Sequence, residues 1–166
     1  MSEVYTYKDY DKYLSLKPSP EIWLIIAYLM RPYIFLISTL RLGRGGSGAA
    51  GVDGLKNMFY PDDLTIALGI FATFPVFLFV AAWGKRKPGA ADFIQKVWRH
   101  GAGVLIFAAA LNIAIVFLPW LIGEIHKISW GGWLQVGIAT IIIVYLLFSR
   151  RVKDTFTDFP RESQSD

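Results

Sequence analysis

The sequence predicts an all-α polytopic membrane protein: a bundle of four transmembrane helices with a short amphipathic helix at the interface. Three observations predict it. The apolar residues fall in four blocks of about 20 residues, the length that crosses a hydrocarbon core, instead of recurring at the spacing of a water-soluble helix face. Lysines and arginines gather just outside those blocks, mostly on one side. All six tryptophans stand at block ends.

The totals agree. The chain of 166 residues is one domain's worth of material. Its 54% hydrophobic and 16% aromatic content, with a mean hydropathy of +0.42, lies far from that of an ordinary soluble domain. The formal charge of +4 comes from basic residues flanking the blocks, where membrane orientation explains them without nucleic acid. The absence of cysteine excludes disulfides, thiolate catalysis and Cys-ligated metal or iron–sulfur sites. Small residues at 47–51 resemble a leader cleavage site, but the first block is too long and too interrupted for a signal peptide core.

Residues 1–21 alternate Tyr5, Tyr7, Tyr10 and Tyr13 with Lys8, Asp9, Asp11 and Lys12, a pattern for a segment lying at the interface or a partly ordered tail. Ser19-Pro20-Glu21 reads as a helix start, with a hydroxyl cap, proline at the first position and a carboxylate at the positive end of the dipole. The transmembrane domain then spans 22–149. Its first span, 22–40, covers about 28 Å and carries Arg31 and Pro32 at its middle. A charge there costs at least about 2.5 kcal/mol. Pro32 has no N–H for the carbonyl of Tyr28 and disfavours helical geometry at Arg31, which predicts a kink with that carbonyl free to meet the guanidinium.

Residues 41–63 read as a loop. Gly43-Arg44-Gly45-Gly46-Ser47-Gly48 matches the dinucleotide-binding spacing, but it follows an apolar helix, opens no helix and lacks βαβ context, so it reads as a linker. The second span is 64–83, with Pro75 as a second kink. Lys85-Arg86-Lys87-Pro88-Gly89 ends it, and Asp92 to Arg99 forms the amphipathic helix, with Phe93, Ile94, Val97 and Trp98 on one face. The third span, 102–122, contains Asn112, Pro119 and a small-x-x-x-small step at Ala110 and Ala114. The fourth runs 130–148, anchored by Arg150, Arg151 and Lys153, and 150–166 reads as a polar tail.

With four spans the two termini share a side with the 84–101 loop. That side holds twelve lysines and arginines and the other holds four, Arg31 apart, which puts both termini in the cytoplasm. Trp23, Trp83 and Trp98 fall at the inner boundary and Trp120, Trp130 and Trp133 at the outer one, as an interface belt.

Arg31, Pro32 and Asn112 are the candidate positions for chemistry. Arg31 could contact an anion or substrate, or move as a gating charge. One arginine without an acid in any span makes no proton relay, so the preferred reading is a structural charge held by the kinked backbone, by Asn112 or by snorkelling. Asn112 reads first as a helix-to-helix hydrogen bond. Glu124 and His126 offer two metal ligands where a catalytic zinc site needs three, and His100 lies at the opposite end. No nucleophile triad, deep carboxylate pair or phosphate loop is present, and no cofactor or metal is called for. The clusters at Lys85 and Arg150 read as orientation signals that also meet anionic lipid.

Tyr7-Lys-Asp9-Tyr10-Asp11, Leu14-Ser-Leu16-Lys17-Pro18, Trp23 and Leu29-Met-Arg31-Pro32 resemble the start of the YfeZ-like family of small, uncharacterised four-span inner-membrane proteins of Gram-negative bacteria. The resemblance is carried by residues 7–32, and beyond them only span number and length agree. It implies an inner-membrane location and brings no activity, cofactor or catalytic residue. The expected function is that of a non-enzymatic subunit or assembly factor, in contact with other membrane subunits or with itself. The alternative is a small oligomeric transporter or channel using Arg31 and Asn112.

Overall fold

A backbone that leaves water must satisfy its own N–H and C=O groups, and apolar blocks of lipid length do so as helices. In the computed structural model, which describes residues 5–11, 13, 15–42, 54, 56–60, 63–123 and 125–160, every extended element is helical; a single isolated bridge joins Tyr10 to Leu16. After a 3-10 turn at Tyr7–Asp9 come α1 (Pro20–Leu29), α2 (Arg31–Leu42), α3 (Asp63–Gly84), α4 (Asp92–Arg99), α5 (Gly101–Leu121), α6 (Trp130–Phe148) and α7 (Arg150–Thr157). Residues 56–59 are also helical, within the stretch expected to be loop. The Gly43 to Gly48 run lies outside the described residues.

Helices α3, α5 and α6 are each long and apolar enough to cross a membrane. The first apolar block is not one straight helix: α1 and α2 meet at a 55° bend, so the described residues hold three such spans, or four if the bent pair counts as one. Met30 sits at the bend with φ −80° and ψ 3°. Tyr33 N–H bonds the carbonyl of Met30 at 3.1 Å, a tightened turn that restarts the helix past Pro32. The expected hydroxyl cap at Ser19 is not made; the Ile22 N–H bonds the backbone carbonyl of Ser19 at 3.0 Å.

Helix α5 is the centre of the packing. It lies against α3 and α6 along most of its length and also meets α1, α4 and α7. Leu105, Ala108 and Ala109 on it are fully buried, and the two alanines let neighbouring helices approach closely.

The end of the bundle where the termini meet differs from expectation in three ways. Residues 150–157 form α7, where a tail was expected, because Ser149 ends α6 and caps α7 through a bond from Val152 N–H. The spacing of Val152, Thr155 and Phe156 then gives α7 one buried face. Trp98, expected in the interface belt, is completely buried: its ring stacks on Phe79 at 5.6 Å and tilts against Phe156 at 5.4 Å. Arg86, expected among headgroups, is only 5% exposed. It donates to the carbonyls of Leu16 (3.0 Å) and Asp158 (2.8 Å) with its guanidinium 4.2 Å over the Trp98 ring.

Those bonds tie the N-terminal segment, the end of α3, helix α4 and the C-terminal segment into one knot. Leu16 N–H donates to Asp158 Oδ2 at 2.7 Å, Trp98 Nε1 to the carbonyl of Asp158 at 3.1 Å, and Arg151 pairs with Asp9 at 2.8 Å. Burial pulls the Arg86 pKa down, against the raising effect of Asp158 and Asp11.

Candidate functional site

The bend between α1 and α2 frees backbone carbonyls inside the bundle, and side chains answer them. Pro32, fully buried, has no N–H for Tyr28, and Arg31 Nη1 approaches that carbonyl at 3.5 Å. The Thr73 hydroxyl on α3 lies within hydrogen-bond distance of two carbonyls, Leu29 at 3.1 Å and Gly69 of its own helix at 2.7 Å, and its single proton serves one of them at a time. The bend is therefore satisfied by groups the sequence places on two helices.

Arg31 itself is 7% exposed. Its Nη2 donates to Asn112 Oδ1 on α5 at 3.2 Å and also to Gln135 Oε1 on α6. Both acceptors are held in turn. Asn112 Nδ2 donates to the carbonyl of Ala108 at 2.9 Å, and Gln135 Nε2 to the carbonyl of Phe59 at 2.8 Å. The Tyr28 hydroxyl reaches the Gln135 carbonyl at 3.4 Å.

Rings complete the enclosure. The guanidinium carbon lies 4.3 Å from the Tyr28 ring centre, 5.6 Å from Tyr60 and 5.8 Å from Phe59, distances at which a ring face stabilises a cation. Among the described residues no carboxylate pairs with Arg31. The charge is instead spread over two amide oxygens, one backbone carbonyl and three aromatic faces. Two buried polar atoms of the same enclosure, Arg31 Nε and Tyr60 Oη, have no hydrogen-bond partner.

The 56–60 segment reaches this point because Gly131 on α6 lets it: a side-chain carbon there would stand 2.2 Å from the carbonyl oxygen of Met58. Arg31 thereby links the α1–α2 bend, α5, α6 and the segment preceding α3. An arrangement of amide and carbonyl acceptors around one guanidinium can orient the helices that carry them. The titratable groups beside the guanidinium among the described residues are the phenols of Tyr28 and Tyr60.

Arg31, Pro32 and Asn112 are brought together. The Tyr28 carbonyl was expected at the guanidinium and is there, whereas Gln135, Thr73, Tyr60 and the Tyr28 ring were not singled out from the sequence; a glutamine five residues into an apolar block was the signal for the first. Trp120, Trp130 and Trp133 stand half-exposed or more at the other end of the bundle. Trp83 is 41% exposed and takes the Trp23 ring edge-on at 4.7 Å. Glu124 lies outside the described residues, so its pairing with His126 is not described. Among the described residues no group of three or more His, Asp or Glu could hold a metal.

The profile of the family described as protein of unknown function (DUF2919) matches residues 5–158. The chain is similar to "Inner membrane protein YfeZ" of Escherichia coli (strain K12), 26% identical over 147 residues that cover 89% of this chain and 90% of that protein. The likeness seen at residues 7–32 thus extends through all the membrane-length helices. No solved structure matches.

Proposed function

This chain belongs to the DUF2919 family, and we propose that it is a multi-pass protein of the bacterial inner membrane that works through helix contacts, as a non-enzymatic subunit or assembly factor of a larger membrane complex. The relative's inner-membrane name and the three apolar helices support the location. The α1–α2 pair serves as a fourth, broken span. Both termini face the cytoplasm, in keeping with the basic excess on their side and with their meeting in one knot. Lys85, Lys87, Arg150 and Lys153, all exposed at that end, meet anionic headgroups.

One observation carries the reading. The charge inside the first apolar block is committed to groups of this same chain, so it acts as a fastening between helices. What remains for a partner is the exposed side of α5, where Gly103, Ala110 and Ala114 stand clear of the bundle. Purification in mild detergent, with mass spectrometry of what co-migrates, should find a stoichiometric membrane partner that is lost on Ala110→Leu with Ala114→Leu. A homo-oligomer alone, unchanged by those substitutions, would contradict the reading.

A second reading, a small oligomeric transporter or channel using Arg31 and Asn112, draws on a cavity of about 50 Å³ whose lining includes Gln135, the acceptor of Arg31. Solute flux in vesicles that disappears on Arg31→Met in a still-folded protein would favour it over the first.

A further inference from the structure

At the end of the bundle away from the termini, the last turns of α5 and the first turn of α6 leave a cavity of about 450 Å³, a volume typical of small-molecule sites. Phe117 and Trp120 come from α5, Trp133 from α6, and Lys127 and Ile128 from the linker between them. Phe117 and Trp133 meet edge to face, 6.1 Å between centres at 86°, and make a fixed apolar corner.

The linker is held in place. Ile125 N–H bonds back to the carbonyl of Pro119 at 3.3 Å, which folds it over the end of α5. Ile128 presses into α6 where Gly132 has no side chain; a carbon added there would stand 2.7 Å from Ile128 Cγ2. Ser129 then caps α6 by accepting from Gly132 N–H at 3.1 Å. Lys127 is exposed, and among the described residues it has no hydrogen bond or ion pair.

We infer that this cavity seats one anionic phospholipid, its phosphate on Lys127 and the start of its acyl chains against Phe117, Trp120, Ile128 and Trp133. The chemistry of the lining favours that occupant. A single cation with four apolar neighbours suits a molecule with one negative group and an oily body, whereas a free soluble anion needs several converging donors. Trp120 and Trp133 are half-exposed, and tryptophans are the residues that mark the boundary between headgroups and chains. No acid lines it among the described residues, and the ammonium of a zwitterionic lipid would be pushed away by Lys127.

The test is native mass spectrometry of the full chain released from micelles containing equal phosphatidylglycerol and phosphatidylcholine of matched chain length. The natural chain should retain the anionic lipid by about fivefold, the factor one basic residue contributes against anionic lipid. Lys127→Gln should lower the preference about fivefold, Lys127→Arg restore it, and Trp133→Ala lower retention of both lipids. Gly137→Ala, on α6 outside the lining and with nothing within 4 Å of the added carbon, should leave the preference intact. Equal retention by the natural chain, or a preference undiminished by Lys127→Gln, would overturn the proposal. Displacement of the bound lipid by millimolar glycerol 3-phosphate would also overturn it, assigning the cavity to free phosphate.

Discussion

Arg31 donates from Nη2 to Asn112 Oδ1 across 3.2 Å, joining residues 81 positions apart and two helices that share no loop. The same nitrogen donates to Gln135, so one guanidinium edge holds α5 and α6 to the bend between α1 and α2. In a bilayer the apolar surfaces of helices gain little by meeting each other, because lipid tails are equally apolar; polar contacts and close packing supply the specificity.

The planar fork of Arg31 is what serves two acceptors and the Tyr28 carbonyl together. Arg31→Met should destabilise the protein by about 2–4 kcal/mol, since it leaves two buried amide oxygens without their donor. Arg31→Lys keeps the charge and loses the fork, at a cost of about 1–2 kcal/mol. Unfolding by dodecyl sulfate in mixed micelles measures both. A lysine variant as stable as the natural chain would mean that charge alone suffices.

Gly131→Ala should cost about 2 kcal/mol or more, because the new carbon meets a backbone oxygen that cannot rotate away. The displaced Met58 precedes Phe59, whose carbonyl orients Gln135, so the effect should pass to the arginine enclosure. Gly137→Ala, also on α6, meets nothing within 4 Å and should be neutral or slightly stabilising. The same unfolding titration compares the two.

Arg86→Ala should free both ends of the chain together. It removes the donor shared by Leu16 and Asp158 and exposes the Trp98 ring, for a loss of about 2–4 kcal/mol. Limited proteolysis should then cut near residue 16 and near residue 158 at similar rates. Cutting at one end alone would show that the knot has two independent halves.

Acid should loosen the N-terminal strap before it touches the bundle. Asp9 is held below its ordinary value of 3.8 first by the Thr6 N–H and then by Arg151. Its contribution is therefore full above about pH 3.8 and is lost as the pH falls through the lowered folded value. Hydrogen exchange at residues 6–17 should rise over that window, and Asp9→Asn should give the fast exchange at neutral pH.

Much of this architecture is legible in the sequence because lipid imposes a length and a polarity that show directly in the residues. The break at Arg31-Pro32 is legible for the same reason, since proline's missing N–H has a local consequence. Gln135 was not, because five residues inside the start of its helix an amide suits the headgroup level as well as the interior, and nothing local says which way it faces. Arg86 sits in a basic run indistinguishable from an orientation signal, and its burial depends on carbonyls at residues 16 and 158. Trp98 was misplaced for a similar reason: an indole at a span end suits headgroups and an aromatic core equally. The face of α7 was in the pattern of Val152, Thr155 and Phe156, but eight residues with charges between them read as a tail.

The central claim is that Arg31 and Gln135 act as one fastening. A double-mutant cycle of Arg31→Met and Gln135→Leu, read by unfolding in micelles, tests it most directly. The account predicts a coupling of about 1 kcal/mol or more, at the strong end for polar contacts between membrane helices. Losses that add to within about 0.3 kcal/mol would show that the two side chains are neighbours without being partners.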